Sequence, residues 1–190
     1  MIKIFIGGSR NISKLNTDIK DRIDNIMQKE YTIFVGDADG VDKCVQEYLF
    51  ENNYGNVRIF CMSNGCRNNI GHWEINQIHS NGAGKKKDFH YFAIKDLEMA
   101  READYGFMIW DGKSKGTLNN VLNLLNDNKK ALVYFSSSKE FFNLASFGDC
   151  EKLLSKCEKK FMDIFEKKLN LSQMLKKERP FQNEFNFLRE

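Results

Sequence analysis

The chain is poor in proline, with one residue in 190. That excludes a Pro-rich linker or a low-complexity architecture. Long apolar runs are missing too. None approaches the roughly 20 residues that span a bilayer, so no membrane partner is expected. Charge of one sign is scarce: the net value is +3 at neutral pH, too small by itself to signal nucleic-acid binding. The five cysteines, Cys44, Cys61, Cys66, Cys150 and Cys157, include no CxxC pair. The spacing of Cys61 and Cys66 fits neither a zinc knuckle nor a thioredoxin motif. His72, His79 and His90 cluster along the chain, but their spacing matches no zinc pattern. Neither a metal nor a cofactor is expected. Met1-Ile-Lys-Ile-Phe-Ile runs straight into glycine and is too short for a signal-peptide core. We therefore read a cytoplasmic protein with reduced thiols.

What is present suits one folded domain, or one domain with an appendage. Strands and helices alternate. Short apolar runs at Ile2–Ile6, Tyr31–Val35, Val57–Met62, Tyr105–Trp110 and Ala131–Phe135 read as strands. Between them, Leu15, Ile19, Ile23, Ile26 and Met27 recur at helical spacing, as do Val41, Cys44, Val45, Tyr48 and Leu49. A further helix is predicted over about 89–103. Near-continuously apolar strands separated by amphipathic helices imply a parallel sheet covered on both faces. The expected fold is α/β, Rossmann-like and doubly wound, with about five mainly parallel strands over residues 1–137. Residues 63–88, rich in turn formers, read as a lid-like insertion. Residues 138–190 read as an α-helical C-terminal extension with a lysine-rich amphipathic stripe, which makes a homo-oligomer a reasonable expectation.

Three glycine turns carry the chemistry. Right-handed crossovers place strand-to-helix loops at one edge of such a sheet, where ligands bind. Gly7-Gly8-Ser9-Arg10 follows the first strand. Glycine permits close approach to the backbone, and Ser9 and Arg10 can contact phosphate. The run is no GxGxxG fingerprint, because the third glycine is missing. Gly36-Asp37-Ala38-Asp39-Gly40-Val41-Asp42 follows the second strand. Asp42 suits the helix dipole and Asp39 a helix cap, which leaves Asp37 free for ribose hydroxyls. Val41 interrupts the ligand spacing of a calcium loop, and Tyr48 stands where its closing glutamate belongs. The strongest signal is Asp111-Gly112-Lys113-Ser114-Lys115-Gly116-Thr117, between a strand and a helix. It is not a Walker A loop, but the helix N-terminus offers amides and a positive dipole end to an anion. Candidate ligand-binding residues are Gly7, Gly8, Ser9, Arg10, Gly36, Asp37, Asp39, Asp111, Gly112, Lys113, Ser114, Gly116, Thr117 and Asn120. Catalytic candidates are Asp37 and Asp111.

These turns, with Ala103-Asp104 ahead of the strand that ends Trp110-Asp111-Gly112, resemble the SLOG superfamily of Rossmann-like proteins. That group includes DprA-type proteins, LOG phosphoribohydrolases and sensors of NAD-derived nucleotides. The resemblance covers roughly residues 1–135. It implies a nucleotide or ADP-ribose-like ligand at the crevice. In LOG enzymes a Gly-Thr-x-x-Glu glutamate works on the N-glycosidic bond. Here Gly116-Thr-Leu-Asn-Asn120 places an amide there, which can bond ribose but cannot act as a carboxylate. The first reading is thus a module that binds or senses a small nucleotide or NAD-derived ligand. The second is an N-glycosidase or glycosyltransferase on nucleotides, with Asp37, Asp39 or Asp111 as its carboxylate. The third is DprA-like nucleic-acid binding through Lys85–Lys87 and the basic tail. It ranks last, so nucleic acid is not expected as a partner.

Overall fold

The structure, a computed structural model, describes residues 1–63, 65–79 and 89–176. Six parallel strands form in chain order: β1 (Lys3–Gly8), β2 (Thr32–Gly36), β3 (Val57–Met62), β4 (Glu74–Ile78), β5 (Tyr105–Trp110) and β6 (Lys130–Phe135). A seventh, β7 (Glu140–Leu144), runs antiparallel to β6. Their order across the sheet is β4-β3-β2-β1-β5-β6-β7. The winding therefore reverses between β1 and β5, and a crevice opens outside their carboxyl ends.

The period of two along each strand sorts the core. Ile4 and Ile6 of β1, Ile33 and Val35 of β2, and Ile59 of β3 face α1 (Thr17–Gln28) and α2 (Val41–Glu51). Phe5, Phe34 and Phe60 face the opposite way, toward α3 (Phe89–Glu102) and α4 (Lys115–Asn126). Helix α1 begins where Asn16 accepts a hydrogen bond from the Ile19 N–H at 3.1 Å, a side-chain cap on an otherwise orphaned donor.

The sheet has seven strands where about five were expected. Strand β4 lies inside the stretch read as a lid-like insertion and pairs with β3 from Arg58↔Glu74 to Met62↔Ile78. It is a half-exposed edge strand, so Glu74-Ile-Asn-Gln-Ile carries little apolar signal. Of the expected lid, residues 64 and 80–88 lie outside the described residues, as does the tail beyond 176.

Strand β7 corrects the expectation of a purely helical C-terminal extension. Phe142 and Leu144 are buried on one face. From the other face Phe141 meets Tyr134 edge to face, ring centroids 5.0 Å apart. That period of two defines a strand. After it come α5 (Cys150–Leu154), α6 (Lys159–Leu169) and α7 (Leu171–Leu175). Fully buried Phe165 of α6 meets Trp110 at 5.8 Å between ring centroids. Burying such a ring stabilises by roughly 1.5–3 kcal/mol, so α6 is held onto the sheet's α4 side.

The thiols also differ from expectation. Cys61 and Cys66 form a disulfide, while Cys44, Cys150 and Cys157 are free. No described helix is long and apolar enough to cross a membrane.

Candidate functional site

The three turns meet. Strand β1 ends so close to β5 that a Cβ on Gly8 would lie 2.2 Å from the Ile109 carbonyl oxygen. Only glycine fits there. The next residue, Ser9, donates its N–H to that carbonyl at 2.9 Å. Its Oγ donates to Asp111 Oδ1 at 2.8 Å and accepts from the Asp111 N–H at 3.1 Å. The Ser9 carbonyl accepts from the Val41 N–H at 3.3 Å. Gly40, at φ +79°, presses on the Arg10 backbone. The first turn is thus fastened to both others.

The third turn is largely closed on itself. Asp111 Oδ1 also accepts from the Lys113 and Ser114 N–H groups, both at 2.9 Å. Ser114 caps α4, accepting from the Thr117 N–H at 3.3 Å and the Thr117 hydroxyl at 3.0 Å. Those amides are not available to an anion. The Lys115 and Gly116 N–H groups, first in the helix, have no partner among the described residues, as at any helix start. A Cβ on Gly116 would meet only Ser114 Oγ, at 3.8 Å, so the helix backbone lies open there.

A cavity of about 790 Å³ opens at this point. Its floor is the β1 end and the α4 N-terminus. Phe89, Phe92, Lys95, Asp96 and Met99 of α3 form one wall, and Phe161, Ile164 and Lys168 of α6 another. Arg10, Lys113 and Lys115 stand at its rim. The cations lie over rings. Lys115 Nζ sits 4.3 Å from the Phe89 centroid, Lys113 Nζ 5.8 Å from Phe161, and the Arg10 guanidinium 5.5 Å from Phe92. Asn120, one turn along α4 from Gly116, is 6% exposed and lines the cavity. Its Oδ1 has no hydrogen-bond partner among the described residues.

A charge cluster runs from the cavity wall into the protein behind it. Asp37 Oδ1 pairs with Arg67 Nη2 at 2.6 Å and faces Lys95 Nζ at 3.7 Å. Asp37 Oδ2 accepts from Arg67 Nε and from the Arg67 N–H, both at 3.1 Å. Lys95 also reaches Asp96 at 2.9 Å. Burial pushes the Asp37 carboxyl up, but the Arg67 bonds and Lys95 outweigh it and hold the group below its ordinary value. Asp42 has no such bidentate partner. Burial pushes its carboxyl up to about 6, with Lys95 opposing. The Ala38 N–H donates to Asp42 at 3.2 Å.

Of the residues singled out from sequence, Gly8, Arg10, Lys113, Ser114, Gly116, Thr117 and Asn120 line the cavity. Gly7, Ser9, Gly36 and Asp37 are buried behind it, and Asp39 is exposed on its loop. Asp111 and Gly112 border a separate depression of about 40 Å³. None of the three carboxylates named for glycosidase chemistry, Asp37, Asp39 and Asp111, is on the wall of the larger cavity.

Several wall residues went unread in the sequence. Lys95 is the one with a signal: Tyr91, Lys95 and Met99 fall at four-residue steps on the buried face of α3. A lysine on an apolar face marks a buried counter-charge. Arg67 sits among turn formers, and nothing local announces its partner 30 residues earlier.

No family model matches the chain, and no curated protein matches its sequence. Among solved structures the chain is similar to DNA processing protein A from Helicobacter pylori, a protein with a unique single-stranded DNA binding mode. The TM-score is 0.55 at 16% identity, over 89% of this chain and 80% of the other. The likeness is one of fold: a Rossmann-like α/β architecture. It corrects the expectation that set nucleic acid aside as a partner, because the neighbouring structure is that of a single-stranded-DNA-binding protein.

Proposed function

We propose that the cavity binds single-stranded nucleic acid, with one nucleotide unit seated at the α4 N-terminus. The observation that carries this reading is the interleaving of Arg10, Lys113, Lys115 and Lys168 with Phe89, Phe92 and Phe161 around one cavity. Cations along a groove track a phosphodiester backbone, and phenyl faces stack on bases of any sequence. The open Lys115 and Gly116 amides add a helix N-terminus for one phosphate. The fold shared with a single-stranded-DNA-binding protein supports the reading, as does the resemblance of the glycine turns to the SLOG group.

The test is fluorescence anisotropy with a labelled single-stranded oligonucleotide across a salt series. Affinity should fall with salt, with a log–log slope of about −0.7 for each phosphate contacted. Absence of binding at low salt ends the reading.

A free nucleotide is the second reading. It is favoured by the buried Asn120 Oδ1 acceptor, which has no partner among the described residues. A mononucleotide that raises the melting temperature by mass action, and that an oligonucleotide cannot displace, selects it.

A further inference from the structure

The Cys61–Cys66 disulfide lies next to the cavity wall without belonging to it. Cys61 is fully buried near the end of β3, while Cys66 is half-buried in the loop that follows. Arg67 comes next. Its backbone and guanidinium hold Asp37 through bonds of 3.1, 3.1 and 2.6 Å. That same guanidinium lies 4.6 Å from the Phe92 ring centroid on α3 and lines the cavity. Asn68 Nδ2 donates to the Asp37 carbonyl at 2.9 Å and to Asp39 at 3.2 Å. The sulfur bridge thus anchors, to the rigid sheet, the short loop that presents Arg67.

We propose that Cys61–Cys66 is a reversible redox site that fixes the position of Arg67 in the cavity wall. The effect on ligand affinity rests on the nucleic-acid reading above; the effect on the loop does not. The reductant is a dithiol. One of its thiolates attacks Sγ of Cys66, the less buried of the two residues, and the Cys61–Cys66 bond breaks. Cys61 leaves as a thiolate and takes a proton. The second thiol of the reductant then closes its own disulfide and releases Cys66 as a thiol. Two electrons and two protons pass to the protein, and a small-molecule disulfide reverses the step.

Once cleaved, the two sulfurs no longer share a bond and must separate to non-bonded contact. Cys61 has no room to move, because β3 is paired on both sides by β2 and β4. Displacement therefore falls on Cys66 and on Arg67 beside it. The freed groups also sit against a carboxylate: Asp37 oxygen and the two sulfurs all lie within 4.8 Å of one another.

The experiment compares the full chain oxidised with glutathione disulfide and reduced with dithiothreitol. Intact mass after alkylation assigns the two states. Amide exchange over residues 65–70 reports the loop, since the Arg67 N–H is given to Asp37 only when the loop is seated. Exchange there should quicken on reduction, and a Cys66→Ser variant should exchange fast under both conditions. Labelled oligonucleotide should bind the reduced form about tenfold more weakly. Arg67→Met should bind equally weakly in both states. Identical exchange in the two states, or failure of the pair to oxidise, overturns the proposal. If exchange responds but the oligonucleotide binds neither form, the nucleic-acid reading falls and the redox site stands.

Discussion

Ser9 and Asp111 stand 102 residues apart in the chain and exchange two hydrogen bonds, Oγ to Oδ1 at 2.8 Å and amide N–H to Oγ at 3.1 Å. They join β1 to β5 at the point where the sheet's winding reverses. Ser9→Ala removes an acceptor from the Asp111 N–H and a donor from its carboxylate. Leaving a buried donor unsatisfied costs about 1–3 kcal/mol, and this part-buried one should fall toward the low end. Urea unfolding should show a lower midpoint at unchanged slope. A change below the error of the measurement would mean that the turns hold together without this link.

Arg67 in the cavity wall and Asp37 behind it form the clearest ion pair at the site. Asp37 is nearly fully buried, while the Arg67 side chain is 35% exposed. Arg67→Met leaves the carboxylate with Lys95 and the main-chain N–H of residue 67. The loss should be roughly 2–4 kcal/mol, below that for a wholly buried pair. It should shrink in acid. A carboxyl held below its ordinary value contributes stability above that value and loses it as pH falls through the depressed one. The gap between wild type and variant should therefore narrow below about pH 4. A gap that is constant with pH assigns the loss to packing on Phe92.

How much of this was legible in the sequence depends on whether the signal was local. Strands β1, β2, β3, β5 and β6 are apolar runs of buried residues, and each was readable within a residue or two at either end. Strand β4 was not, because an edge strand half in water needs no apolar run. Phe141, Phe142 and Leu144 were read on the wrong period, since two phenylalanines in a row fit either face of a strand or one stripe of a helix. The convergence of the glycine turns followed from the handedness of crossovers. The internal capture of the loop amides by Asp111 and Ser114 did not. Lys95 needed three carboxylates from separate elements to make its burial tolerable, and the Cys61–Cys66 bond depends on a loop that matches no spacing rule.

Asp42 runs opposite to Asp37. Its carboxyl is pushed up to about 6 by burial, with Asp96 and Asp37 adding to the rise and Lys95 and the Ala38 N–H opposing it. The folded state thus keeps this proton longer than the unfolded chain does. Between about pH 4 and 6 the unfolded chain ionises first, and stability declines through that window. The decline is on the order of 3 kcal/mol. Asp42→Asn removes the titrating group, so its stability relative to wild type should climb across the window and level off above it. Parallel curves from pH 4 to 7 count against a proton held at Asp42.

Asn120 separates stability from binding. Its Oδ1 is buried without a partner among the described residues, on the helix face that Gly116 leaves open. An unmet buried acceptor costs about 1–3 kcal/mol, and replacing it with an apolar group of similar size relieves that cost. Asn120→Leu should therefore melt a few degrees higher than wild type, about 2–4 °C. On the proposed reading, the same change also deletes a hydrogen bond from a ligand donor, worth about 0.5–1.5 kcal/mol. Affinity for the oligonucleotide or nucleotide should fall up to about tenfold. Asn120→Asp serves as the contrast, since a buried carboxylate costs stability and repels phosphate together. A leucine variant that melts lower and binds as well as wild type would show that the acceptor serves the fold. A variant that melts higher and binds worse places Asn120 among the groups that touch the ligand.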